Sequence, residues 1–65
     1  MITSNVRKIM EKQGVTIRKM IEKTGLSDAT ILRARGDRIH LCRLSTLESI
    51  ANCLNCKVKD LFEEL

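Results

Sequence analysis

The stretch Gly14–Gly36, "GVTIRKMIEKTGLSDATILRARG", decides how this chain folds. It holds two apolar-patterned segments of about two helical turns each, parted by Gly25 and bounded by Gly14 and Gly36. Thr16 offers an oxygen to cap the first segment, which runs through Met20 and Ile21 to Lys23. Ser27 caps the second, and Asp28 sits in its first turn, where the helix dipole favours an anion. Ile31 and Ala34 share an inner face at a spacing of three. The joint at Gly25-Leu26 is so short that the two helices must cross steeply, and glycine takes the left-handed turn that strains a residue with a Cβ. Leu26 and Ile31 then plug the space beneath the turn. Asp28, Ala29, Leu32 and Arg33 are left pointing outward. That outer face is either a surface that reads DNA or an ordinary basic surface on a small helical domain.

The flanking sequence repeats the helical pattern. Val6, Ile9 and Met10 fall on one face of a first helix, capped by Ser4 or Asn5 and stopped by Gly14. Asp37 to Arg43 reads as a polar loop anchored by Ile39 and Leu41. Ser45-Thr46-Leu47-Glu48 has the form of a capping box, so a helix is expected to start there. Leu47, Ile50, Ala51 and Leu54 supply its stripe, and Asn55 is placed to end it. Val58, Leu61, Phe62 and Leu65 predict a short closing helix. The expectation is an all-α fold of five helices, with residues 1–65 as a single domain.

Composition narrows the function. Phe62 is the only aromatic residue and proline is absent, so aliphatic side chains must fill the core. A chain of 65 residues buries only ~60% of its unfolded surface, which makes it marginal alone and inclined to lean on a partner. No apolar run approaches the ~18 residues of a membrane span, and no signal-peptide pattern opens the chain, so a cytoplasmic protein is expected. The net charge of +4 is unevenly spread. Residues 1–43 hold ten Lys and Arg against four acids, whereas residues 44–65 hold two against four. A chain basic in its first two-thirds suits a polyanion.

Nothing in the sequence supports an enzyme: His40 is the only histidine, and no Ser or Cys stands in an activating pattern. Cys42, Cys53 and Cys56 with His40 number four potential zinc ligands. A single C-x-x-C lacks the doubled spacing of a zinc site, so buried thiols are expected and neither metal nor cofactor. The odd cysteine count argues for a reducing compartment.

With "LSTLESIANCLNCKVKDLFEEL" added to the opening stretch, the chain resembles the lambda-repressor-like (Cro/XRE) helix-turn-helix family of DNA-binding regulators. The resemblance runs from about Val6 to Leu65 and rests on Gly25 at the turn, Leu26 after it, the Ser27 cap, Ile31 in the core and the aliphatic tail. It implies a sequence-specific regulator of transcription with helix 27–35 in the major groove of a double-stranded DNA operator. Matching positions imply base-reading by Asp28, Ala29, Thr30, Leu32 and Arg33. Arg33 is the main specificity residue, since a guanidinium bonds bidentately to guanine O6 and N7. Asp28 reads first as a dipole anion and second as an acceptor for cytosine N4. Phosphate contacts fall to Thr16, Arg18, Lys19, Ser27, Arg35, Arg38 and Arg43, with Thr30 beside Ser27.

The resemblance further implies a homodimer on palindromic half-sites, with Leu61, Phe62 and Leu65 as the dimer surface. No small-molecule effector site is expected. Three positions depart from the family pattern: Ile17 stands where the second helix usually starts with Gln, Ile21 where a small Ala allows close crossing, and Arg35 where an acid is common. Ile17 is what sustains the alternative, an antitoxin-like or accessory interaction module with weak DNA binding.

Overall fold

In a computed structural model describing all of residues 1–65, the chain opens with a strand, β1 (Ile2–Ser4). Helices α1 (Val6–Gln13), α2 (Ile17–Thr24) and α3 (Asp28–Arg35) follow, then a 3-10 turn (Ile39–Leu41) and α4 (Leu44–Cys53). A second 3-10 turn (Val58–Leu61) leads into strand β2 (Phe62–Glu64). The local chemistry of the opening stretch is as its residues dictate. Gly25 takes φ 74° and donates its N–H to the Ile21 carbonyl at 2.9 Å. The Thr16 hydroxyl oxygen accepts the Lys19 N–H at 3.1 Å, and that of Ser27 accepts the Thr30 N–H at 3.2 Å. Thr24 adds a brace: its hydroxyl donates to the Met20 carbonyl at 2.6 Å and accepts from the Leu26 N–H at 3.1 Å, so the turn is fixed from inside.

The core is eleven buried apolar residues with no buried polar one, and every helix contributes. Val6 and Met10 come from α1, Met20 from α2, Ile31 and Ala34 from α3, and Leu47, Ile50 and Ala51 from α4. Ile39, Leu54 and Leu61 close it from the connecting segments. This core fixes the rotation of α3, and hence which of its residues meet solvent.

The fold is mostly helical, but it has four helices and not five, and it is not all-α. The expected closing helix is a single 3-10 turn followed by a strand. A 3-10 turn repeats every three residues, so Val58 and Leu61 share a side there as they would on an α-helix, and their spacing does not separate the two. The Asp60 carboxylate starts the turn by accepting the Lys57 N–H at 3.0 Å. Beyond it, Phe62, Glu63 and Glu64 pair antiparallel with Ser4, Thr3 and Ile2. A three-residue strand is too short to display the alternation that marks a strand in sequence.

The capping box is absent as well. α4 begins at Leu44 with Arg43 in the cap position, which puts Ser45 inside the first turn, where its carbonyl accepts the Ser49 hydroxyl at 3.2 Å. Arginine has no acceptor, so no side chain caps α4. The segment expected as a polar loop contains the first 3-10 turn, and of its two apolar residues Ile39 is buried whereas Leu41 points into solvent. At the first helix Asn5 holds the cap position without a capping bond, and the Ser4 hydroxyl oxygen accepts the Val6 N–H at 3.2 Å instead. Asn55, just past α4, adopts the left-handed φ of 55° expected of a helix-ending residue.

Candidate nucleic-acid interface

α3 turns Ile31 and Ala34 into the core, so its 100° residue step presents Asp28, Ala29, Leu32 and Arg33 on the opposite face, and all four are exposed. Leu32 is 52% exposed, an apolar side chain held in water at the centre of that face. Thr30 lies on the flank, half-buried, its hydroxyl 2.9 Å from that of Ser27. Asp28 Oδ1 accepts the Ala29 N–H at 2.7 Å, so the carboxylate is already engaged in starting the helix.

Beside Thr30, α3 and the start of α4 enclose a cleft of about 290 Å³ lined by Thr30, Arg33, Leu41, Cys42, Arg43 and Thr46. Two guanidinium groups and two hydroxyls therefore converge where α4 leaves its first N–H groups without a side-chain cap. This is an arrangement suited to an oxyanion. Cys42 forms part of the floor. Burial pushes its thiol up from an ordinary value of 9.0, and the Arg33 guanidinium partly offsets that rise.

The remaining cations differ in availability. Two carboxylate pairs occur, Arg7–Glu11 at 3.2 Å and Arg18–Glu22 at 3.9 Å, both exposed. Arg18 is thus shared with an acid, while Lys19, Arg33, Arg35, Arg38 and Arg43 have no carboxylate partner. Arg35 sits half-buried on the other flank of α3, its Nε shielded from water and without a hydrogen-bond partner. Thr16 and Ser27 are exposed at their helix starts, each with its oxygen accepting a backbone N–H. Ile17 is half-buried against the core, so the first turn of α2 carries an apolar anchor.

The proposed dimer residues are scattered in environment. Leu61 is wholly buried in the protein's own core and offers nothing to a partner, which corrects its assignment to an interface. Phe62 is half-buried, and Leu65 is 76% exposed. The cysteines are all free and half-buried, and no three His, Cys, Asp or Glu side chains are grouped as metal ligands. No helix is long and apolar enough to cross a membrane.

Thr46 and the uncapped start of α4 were not anticipated as neighbours of α3. Their signal was obscured because Ser45-x-x-Glu48 imitates a capped helix start. Two short packed helices joined at Gly25-Leu26, the second exposing one face beside unpaired arginines, form a helix-turn-helix arrangement. Residues 5–63 match the family model of the Cro/C1-type HTH DNA-binding domain. The chain belongs to that family. No curated protein and no solved structure matches it.

Proposed function

We propose that this Cro/C1-type protein is a sequence-specific, double-stranded DNA-binding regulator of transcription that works as a homodimer. In this reading α3 lies in the major groove, Arg33 reads a guanine, and Ala29 and Leu32 meet thymine methyl groups. The carrying observation is the exposed face of Asp28, Ala29, Leu32 and Arg33, flanked by a cleft with two unpaired guanidinium groups. Asp28 acts mainly by starting the helix, since its carboxylate is bonded to the Ala29 N–H. Lys19, Arg35, Arg38 and Arg43 neutralise phosphates, with Thr16, Arg18 and Ser27 beside them at the helix starts.

Sites selected from a random duplex pool, followed by anisotropy titrations at several salt concentrations, test the reading. Arg33→Ala should cost ~1–3 kcal/mol on the selected site and relax preference at one base pair. Arg38→Ala should weaken all sequences alike and reduce the log–log salt slope by ~0.9. Failure to enrich any sequence would overturn the regulator reading in favour of an interaction module. An equal loss in Arg33→Ala on every duplex would make Arg33 a phosphate contact.

A further inference from the structure

The cleft between α3 and the start of α4 gathers positive charge with nothing to balance it. Arg33 and Arg43 line it, and neither has a carboxylate partner. The other lining residues, Thr30, Leu41, Cys42 and Thr46, include no acid. Burial raises the Cys42 thiol from its ordinary 9.0, so it stays protonated at neutral pH and supplies no counter-charge. Two cations drawn into one cleft repel each other, and an anion seated between them is attracted by both.

Size and donor chemistry specify that anion. The volume of about 290 Å³ stands at the lower edge of the ~300–1,000 Å³ typical of small-molecule sites. Two guanidinium forks and two hydroxyls present several donors to one point. A phosphate monoester matches them with three terminal oxygens and a charge approaching about −2 at neutral pH. Leu41, 58% exposed, adds an apolar wall on which an organic substituent rests.

We infer that this cleft is a receptor for a small organic phosphate monoester, whose binding holds the Arg33 side chain against α4 and away from DNA bases. The second half of the inference rests on the reading above, in which Arg33 contacts a guanine.

Arg33 is placed for either destination. It stands four residues from Ala29, on the outward face, and three from Thr30, on the flank that lines the cleft. The guanidinium lies close enough to Cys42 to offset part of its thiol's rise, so in the free protein it is held on the cleft side. One guanidinium serves an anion in the cleft or a guanine in the groove, not both. An occupied cleft therefore removes the base-reading arginine and engages Arg43 as well. Local spacing carries no sign of such a site, because its halves belong to different elements that only packing brings together.

Amide NMR spectra of the full chain, titrated with phenyl phosphate at constant ionic strength, test the receptor. Saturable shifts should be confined to Thr30, Arg33 and residues 41–46, with a Kd of about 1 mM or tighter. Arg43→Ala should weaken binding about tenfold or more, and Thr46→Val about fivefold, both with unchanged circular dichroism. Orthophosphate should bind less tightly than phenyl phosphate, and Leu41→Ala should remove that difference. Dimethyl phosphate, a monoanion like a DNA backbone phosphate, should be the weakest. Shifts spread without saturation over all exposed cations, full affinity in both Arg43→Ala and Thr46→Val, or dimethyl phosphate binding as tightly as phenyl phosphate would overturn the inference.

Anisotropy titrations test the consequence. Saturating phenyl phosphate should lower the ratio of affinities for selected and random duplexes toward that of Arg33→Ala. A protein that takes phenyl phosphate in the cleft but selects no duplex keeps the receptor and loses the DNA-binding reading. One whose duplex preference is untouched by saturating phenyl phosphate keeps the DNA-binding reading and loses the inferred coupling.

Discussion

Cys42 shows how closely the candidate site couples neighbouring residues. It lines the same cleft as Arg33, and its thiol is raised by burial and partly restrained by that guanidinium. Cys56 is raised as well, first by burial and then by the Asp60 carboxylate. Both thiols hold their protons after an unfolded chain has released them at its ordinary value of 9.0. The folded state therefore binds more protons in that range, and stability must fall as pH rises beyond it. A disulfide reagent at about pH 8 should label Cys42 more slowly in the folded protein than in urea, because only the thiolate reacts. Arg33→Ala should slow it further. Faster labelling in that variant would show that the guanidinium shields the sulfur sterically instead of stabilising the thiolate.

Among the elements, the α2–turn–α3 unit carries the most information in the fewest residues. Gly25 has open space where a Cβ would sit, yet its φ of 74° belongs to glycine. Gly25→Ala should therefore destabilise by ~1 kcal/mol through backbone strain alone, measured by urea denaturation, with the crossing of α2 and α3 kept. A loss of several kcal/mol would point to steric displacement. This unit was legible from sequence because each of its signals is local: Thr16 and Ser27 caps, Gly25, and Ile31 and Ala34 three residues apart.

The elements that misled are those decided by partners far along the chain. Ile2–Ser4 and Phe62–Glu64 become strands only because they meet each other. Val58 and Leu61 fit a 3-10 turn as well as an α-helix. Ser45 imitates a cap, but the helix begins where the preceding 3-10 turn releases the chain. At the candidate site the outward face of α3 followed from its inward face. The approach of Arg43 and Thr46 to Arg33 depended on how α4 packs, which no local spacing encodes.

For the molecule as a whole, the termini brace α3. The Ser4 hydroxyl donates to the Ala34 carbonyl in the last turn of α3, and Ser4 itself pairs with Phe62. The end of α3 is thus tied to both ends of the chain, a role no helical pattern would assign to them. Ser4→Ala leaves a part-buried carbonyl unpaired and removes the bond to the Val6 N–H. It should cost ~1–3 kcal/mol and speed amide exchange in the last turn of α3 before the rest. Uniform acceleration across all helices would mean that the ribbon stabilises the core and not α3 in particular.

The Leu65 N–H donates to the Met1 carbonyl at 2.7 Å, and the Met1 ammonium to the Leu65 carbonyl at 3.0 Å. The backbone therefore traces an almost closed ring, and the order in which its elements are synthesised is separable from the shape they reach. A short glycine linker joining residue 65 to residue 1, with new ends cut at exposed Gly14, should give a circular permutant with the same circular dichroism spectrum. It should also bind the selected duplex as the parent does. A permutant that stays unfolded would show that α1 must precede α2 for the chain to close.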